Sequence, residues 1–111
     1  ALENFAPPNS YSALKAALLA YTNDLAQAMA RKGVRVNTVS PGSIYFEGGA
    51  WDRVEKNMPE YFAQVRKSIP FDRFGTPEEV ARVVAFAASP AASWVTGTNI
   101  IVDGGQHKGV D

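Results

Sequence analysis

Residues 29–42 of this 111-residue chain read MARKGVRVNTVSPG, and this stretch decides the fold class. Upstream of it, apolar residues recur at helical spacing over residues 11–32, and Gly33 is a typical residue to end a helix. Downstream, three valines between residues 34 and 39 form a β-branched run that stops at Pro41-Gly42. A helix joined through one glycine to such a strand predicts half of a parallel α/β unit.

A second helix and a second strand follow near the end of the chain. Thr76 as N-cap, Pro77 in the first turn and Glu79 as the partner of a capping box predict a helix from 77 to about 89. We expect this helix to bury Val80, Val83, Val84 and Phe86. Residues 99–102, which read NIIV, predict the last strand. Two strands are too few to form an independent sheet, so we expect their partner strands to lie elsewhere.

Residues 43–74 contain aromatic and aliphatic side chains at roughly helical intervals among charged residues. This pattern predicts one or two short amphipathic helices. Pro59 separates them or opens the second one, because proline is tolerated in the first turn of a helix.

The composition excludes several classes of partner. The formal net charge is zero and no run of Lys or Arg is present, which argues against nucleic acid and anionic membrane surfaces as partners. No apolar run reaches the roughly 20 residues of a membrane span, and no secretory signal opens the chain. The chain has no cysteine, so it has no disulfide framework or thiolate metal site. We expect a cytoplasmic protein and no metal site.

Tyr11 and Lys15 lie four residues apart at the start of the first predicted helix, so they project from the same face. A phenol has an ordinary pKa of about 10, and a nearby ammonium group lowers that pKa by favouring the phenolate. The pair could therefore serve as an acid and base near neutral pH. Taken alone, the pattern is weak, because Tyr and Lys at this spacing are common on solvated helix faces.

Four motifs in order strengthen the functional interpretation. They are YSALK at 11–15, NTVSPGSI at 37–44, RFGTPEEVA at 73–81, and VTG followed by VDGG between 95 and 105. Together they resemble the short-chain dehydrogenase/reductase family over about nine-tenths of the chain. The resemblance implies the C-terminal part of a Rossmann-type, doubly wound parallel sheet, containing its last helices and last two strands.

The resemblance also implies an activity, which is hydride transfer between NAD or NADP and a small-molecule carbonyl or alcohol substrate. Tyr11 would exchange the proton with the substrate oxygen, and Lys15 would hold the ribose hydroxyls and lower the tyrosine pKa. Pro41 and Gly42 would line the nicotinamide, and the backbone of Ile44 would meet its carboxamide. Without the resemblance, Pro41-Gly42 is more simply interpreted as a turn that ends a strand.

Several family features are absent from the sequence. The glycine-rich phosphate-binding turn, the active-site serine about a dozen residues before the tyrosine, and the active-site asparagine have no counterpart. The chain also lacks an initiator Met. We therefore expect residues 1–111 to be a C-terminal fragment of one Rossmann-fold domain. We expect its N-terminal half to be a missing partner and the fragment alone to be inactive. The residues that would distinguish NAD from NADP belong to that missing half.

Three further expectations concern the surface of the domain. By position, residues 45–74 correspond to the mobile substrate lid of the family, although a helical insertion packed on its own core explains the pattern equally well. The first helix, the last helix and the last strand resemble the surfaces through which the family forms dimers and tetramers. A homo-oligomer is therefore expected, and a non-catalytic assembly or binding module is the alternative function. We expect His107 to be exposed and Asp103 to end the last strand.

Overall fold

The computed structural model describes residues 10–107, with side chains from residue 13 onward. The first half contains helix α1 (Ser10–Ala30), strand β1 (Thr38–Pro41) and helices α2 (Ala50–Asn57) and α3 (Pro59–Ser68). The second half contains helix α4 (Pro77–Ala88), a 3-10 turn (Pro90–Ala92) and strand β2 (Asn99–Val102). Within the described part of the chain, β1 and β2 form a two-stranded sheet. The predicted α/β class is confirmed.

The two strands are parallel and pair in register. The Thr38 amide donates to the Thr98 carbonyl at 2.9 Å, and four residues later the Gly42 amide donates to the Val102 carbonyl, also at 2.9 Å. At that end of the sheet Gly42 lies against Asp103. A Cβ atom on Gly42 would lie 2.5 Å from the Asp103 Cβ and 2.9 Å from its Cα.

Strand β1 begins four residues later than the valine run predicts. The Val36 amide donates to the hydroxyl of Thr96 at 3.0 Å, and the Val36 carbonyl accepts from the Gly97 amide at 2.8 Å. Asn37 accepts from the Thr98 amide at 3.1 Å and donates to the Val95 carbonyl at 3.0 Å. Residues 36 and 37 thus bind the loop before β2 instead of a regular strand, which is why the ladder starts only at Thr38.

The described residues divide into two compact units, of which the first contains residues 10–39 and 84–100 and the second contains residues 40–83 and 101–107. In the first unit, α1 buries Thr22 and Ala26. The Thr22 hydroxyl accepts a hydrogen bond from the hydroxyl of Thr38 at 3.2 Å. The Arg35 guanidinium donates to the carbonyls of Ala87 and Ser89 at 2.6 and 3.1 Å. It thereby satisfies carbonyl groups at the C-terminal end of α4, where a cation is favoured.

The first unit leaves large apolar side chains exposed. Val84 and Phe86 are 48% and 47% exposed, so the prediction that α4 buries them is wrong for this chain. Leu14, Leu18 and Tyr21 on α1 are also exposed, and Trp94 is 98% exposed. The physical reason is that no element of this unit, among the residues that the structure describes, covers these faces.

The second unit has a small aromatic core. The ring of Phe74 lies 4.6 Å from Phe62, 5.1 Å from Trp51 and 6.4 Å from Tyr45, measured between centroids. Val65, Ile69 and Phe74 are the buried side chains of this cluster. Pro59 is the first residue of α3 and separates it from α2, as its position predicts. Residues 45–74 therefore pack on a core of their own.

The predicted capping box at the start of α4 is confirmed. The Glu79 amide donates to the Thr76 hydroxyl at 3.2 Å, and the Thr76 amide donates back to the Glu79 carboxylate at 3.0 Å. Arg73 adds two hydrogen bonds to the same carboxylate, at 2.8 and 2.7 Å. These bonds, with those from Arg73 the stronger, lower the pKa of Glu79 to about 2.

Between residues 10 and 107, no helix combines the length and the apolar character that a membrane span requires.

The lowered pKa of Glu79 predicts a pH dependence of folding stability. Glu79 contributes stability above its ordinary pKa of 4.5, and this contribution is lost as the pH falls toward its folded pKa of about 2. We expect Glu79→Gln to reduce the loss of stability between pH 5 and pH 2.5 in urea unfolding. Glu78→Gln is the matched control, because it removes a carboxylate from the same helical turn and leaves the bonds of Glu79 to Arg73 and Thr76 in place. Equal slopes for the two variants would contradict the assignment.

The close contact at the strand ends predicts that Gly42→Ala destabilises the fold. The added methyl group would meet the Asp103 backbone, and overpacking of this kind costs about 1–3 kcal/mol. Gly75→Ala is the control, because its Cβ would clash only with the terminal methyl of Ile44, at 2.8 Å, which can rotate away, while its next neighbours lie at 3.8 and 3.9 Å. Denaturant unfolding should show the larger loss for Gly42→Ala, and the reverse order would refute the explanation.

Candidate functional site

Helix α1 carries Tyr11 and Lys15, one turn apart on one face. The side chain of Tyr11 lies outside the described residues. Lys15 is half-buried, and Leu19, Thr22 and Ala26 continue its row at the 3- and 4-residue spacing of a single helix face. Lys15 therefore lies at the start of the row of half-buried and buried side chains on α1. A Tyr-Lys pair on a solvated helix face would instead lie among exposed side chains.

The end of β1 carries the other three predicted residues. Pro41 is exposed, Gly42 contacts Asp103, and Ile44 forms an isolated parallel bridge with Gly75. In this bridge the Tyr45 amide donates to the Gly75 carbonyl at 2.9 Å, and the Gly75 amide donates to the Ser43 carbonyl at 3.0 Å. A parallel bridge of this form points the amide and carbonyl of Ile44 itself away from Gly75. The amide and carbonyl of Ile44 thus lie on the side of the loop opposite Gly75.

A cleft of about 280 Å³ in the second unit is lined in part by Ile44. Its wall also includes Arg73 and Glu79, whose charges are paired at 2.7 Å, and Asp103 with the two glycines that follow it. The cleft therefore combines an apolar side chain and backbone groups with a neutralised ion pair, which suits an uncharged organic ligand better than an anion.

The turn after β2 is organised by Asp103, a role that the sequence analysis missed. Its carboxylate accepts hydrogen bonds from the amides of Gly105 at 2.9 Å and His107 at 2.7 Å. Gln106, inside the turn, accepts a hydrogen bond from the Ser43 hydroxyl at 3.1 Å. His107 is half-buried, so its expected exposure is wrong. An Asp followed by two glycines is a typical turn signal and could have indicated this structure.

A second polar cluster that the sequence analysis missed lies next to Ile44. The Tyr45 hydroxyl lies 2.8 Å from a Glu55 carboxylate oxygen and 2.9 Å from one of Asp52. These two carboxylates raise the pKa of Tyr45 above its ordinary range. Asp52 is buried and also accepts hydrogen bonds from the Gly48 amide and from Lys56. The Gly48 amide is the main cause that lowers the pKa of Asp52.

The five predicted site residues fall into two groups. Tyr11 and Lys15 share α1, in the first unit, and Pro41, Gly42 and Ile44 share the end of β1, in the second unit.

A family profile, curated relatives and solved structures are similar to this chain. The sequence profile described as enoyl-(acyl carrier protein) reductase matches residues 1–107. An isoepoxydon dehydrogenase of Aspergillus clavatus is 48% identical over 103 residues, which cover 93% of this chain and 40% of that protein. The chain thus spans about two fifths of the length of this curated relative.

Solved structures show the same fold. The structure of YwfH, an NADPH-dependent reductase involved in bacilysin biosynthesis, is similar with a TM-score of 0.82 and 31% identity, covering 99% of this chain and 45% of that one. An oxidoreductase of the short-chain dehydrogenase/reductase family from Burkholderia thailandensis has a TM-score of 0.78 and 41% identity, over 92% of this chain and 39% of that one. The profile match and these likenesses, together with the four motifs in order, show that the chain belongs to the short-chain dehydrogenase/reductase family.

Proposed function

We propose that this chain is the C-terminal part of an oxidoreductase that transfers a hydride between NAD(P) and a carbonyl or alcohol substrate. The observation that carries the proposal is the placement of Tyr11 and Lys15 one turn apart on α1, with Lys15 in the half-buried row of that helix. An ammonium held in such a row can act on a neighbouring phenol with less screening than on an open surface.

In this proposal Tyr11 is the proton donor and acceptor. During reduction its hydroxyl donates a proton to the substrate oxygen as that oxygen gains negative charge, and during oxidation the phenolate takes the proton of the alcohol. Lys15 favours the phenolate and so lowers the pKa of Tyr11 toward the working pH. The nicotinamide, when bound, supplies or accepts the hydride, so that one hydride and one proton together convert a carbonyl into an alcohol.

The end of β1 is suited to the nicotinamide. Because the amide and carbonyl of Ile44 point away from Gly75, they can donate to and accept from a carboxamide. Gly42 brings no side chain to this edge, and Pro41 adds an apolar ring without a donor. Lys15 would hold the ribose hydroxyls. The NADPH dependence named for YwfH supports a nicotinamide cofactor for this protein, either NAD or NADP.

We also propose that residues 45–74 serve as the substrate lid. Their aromatic core, centred on Phe74, supports a segment that moves as one body instead of a loop that orders on binding. Phe46, Met58 and Phe71 are each more than half exposed and are apolar side chains of this segment that could meet a substrate. The interpretation as an insertion packed on its own core is therefore compatible with the lid.

The proposal extends to the rest of the protein. Because the chain spans 40% of the isoepoxydon dehydrogenase it matches, we propose that a missing N-terminal half supplies the phosphate-binding turn and the active-site serine and asparagine. A cytoplasmic location, expected from the composition, belongs to the same proposal.

The central test replaces the tyrosine hydroxyl. In the full-length gene product we expect Tyr11→Phe to lower kcat by about 10²–10⁴-fold, the range that general acid–base catalysis contributes. Tyr21→Phe, on an exposed position of the same helix, is the matched control and should keep wild-type activity. The measurement is the absorbance of the reduced nicotinamide with a panel of small ketones and alcohols.

Two outcomes would contradict the proposal. Equal activity of the two Tyr→Phe variants would exclude Tyr11 as the acid and base. Cofactor reduction by the isolated 111 residues would show that the chain does not depend on an N-terminal half.

Assembly is the second candidate function, and the exposed stripe of α1 favours it. Leu14, Leu18 and Tyr21 lie at the i, i+4 and i+7 positions of one helix face and are all more than half exposed. A contiguous apolar stripe of this kind usually packs against another surface. In this proposal a second copy of the chain covers it, giving a dimer or tetramer, with or without catalysis.

The assembly candidate predicts a concentration-dependent association that a single charge weakens. We expect Leu18→Glu to raise the dissociation constant by about tenfold or more, because a carboxylate buried in an apolar contact loses its hydration. Ala20→Glu, on a different exposed face of α1, is the control. Sedimentation equilibrium measures both variants, and a wild-type chain that stays monomeric at high concentration would refute this candidate.

A further inference from the structure

We propose that Asp103 is a positioning residue that holds the Ser43-Ile44 backbone in place through the turn 103–107. The inference rests on the proposed function, because that function gives the Ile44 backbone its role. All of the contacts involved lie in the second unit.

The carboxylate of Asp103 is held firmly. It accepts from two backbone amides, Gly105 at 2.9 Å and His107 at 2.7 Å, one on each oxygen. Hydrogen bonds to an ionised acceptor are about twice as strong as neutral ones. The turn is closed further by the Gln106 amide, which donates to the Asp103 carbonyl at 3.1 Å. The side chain therefore has one orientation and shapes the four residues that follow it.

Two contacts connect the turn 103–107 to the residues at the end of β1. The Cα and Cβ of Asp103 lie so close to Gly42 that a methyl group would not fit between them. The Gln106 side chain, presented by the same turn, accepts from the hydroxyl of Ser43, which is buried. Since Ser43 directly precedes Ile44, the turn fixes the peptide whose amide would face the cofactor.

A third contact connects the turn to the segment behind the bridge. The Gly104 carbonyl accepts from the Phe71 amide at 3.2 Å. The chain continues from Phe71 to Gly75, the residue that pairs with Ile44. The turn therefore supports both sides of the Ile44–Gly75 bridge. A turn that only ended strand β2 would have no reason to contact Gly42 through Asp103, Ser43 through Gln106 and Phe71 through Gly104.

The experiment uses Asp103→Asn in the full-length gene product. Asn keeps the size of Asp, but its single oxygen accepts from one of the two amides while its NH2 group faces the other. We expect amide hydrogen exchange at Gly42 and Tyr45 to quicken by about tenfold while exchange in α1 stays unchanged, since about 1.4 kcal/mol corresponds to a factor of ten. Asp24→Asn, exposed on α1, is the matched control.

A kinetic readout accompanies the exchange measurement. We expect Asp103→Asn to raise KM for the nicotinamide cofactor by about tenfold while kcat changes by less than about twofold, because the proton-transfer pair on α1 is untouched. Gln106→Leu, which removes only the acceptor for Ser43, should give a smaller change in the same direction.

Each outcome decides the matter. Unchanged exchange at Gly42 and Tyr45 overturns the inference, and so does faster exchange that includes α1, which would indicate general destabilisation. Faster local exchange with an unchanged KM also overturns it. A wild-type protein without nicotinamide-dependent activity would refute the proposed function, while the exchange data would still decide whether Asp103 holds the Ser43-Ile44 backbone.

Discussion

The contact between Gly42 and Asp103 is the constraint on which the second unit depends. The strands β1 and β2 are parallel, so the residues that follow each strand leave the sheet at the same end. That end is crowded: a Cβ on Gly42 would lie 2.5 Å from the Cβ of Asp103. Only a glycine at position 42 allows the backbone segments after the two strands to lie so close together. This close packing places the Ser43 hydroxyl next to the Gln106 side chain, and the following residue, Ile44, forms its bridge with Gly75.

Local signals in the sequence predicted the features that are decided within a few residues. The capping box of Thr76 and Glu79 and the helix opening at Pro59 both depend on hydrogen bonds or sterics inside one turn, and both are confirmed. The start of β1 was placed four residues too early. A β-branched residue favours extended backbone but does not specify its partner, and Val36 pairs with Thr96 and Gly97 instead of a strand. The bonds from Arg35 to the end of α4 span more than fifty residues and left no local signal.

The burial of the helices could be predicted only as a pattern. Periodicity identifies the apolar face of a helix, yet it contains no information about what covers that face. On α4 the sequence suggested buried Val84 and Phe86, and both are about half exposed. The chain spans 40% of the isoepoxydon dehydrogenase it matches, and no element among the described residues of the first unit covers these faces. The same limit applies to the candidate site: the motifs predict Tyr11, Lys15 and Ile44, whereas the role proposed for Asp103 depends on its contact with Gly42, about sixty residues away in the sequence.

A comparison of two tyrosines supports the choice of Tyr11 as the acid of the proposed site. Tyr45 directly follows Ile44 and would be near the cofactor, so proximity alone makes it a competitor. Its hydroxyl lies between Asp52 and Glu55, and these carboxylates raise its pKa above the ordinary range. A phenolate there would face two like charges, which disfavours Tyr45 as a proton acceptor. Lys15 has the opposite charge and lies one turn from Tyr11. Tyr45 thus joins the Ile44 loop to α2, and in the proposed function Tyr11 exchanges the proton.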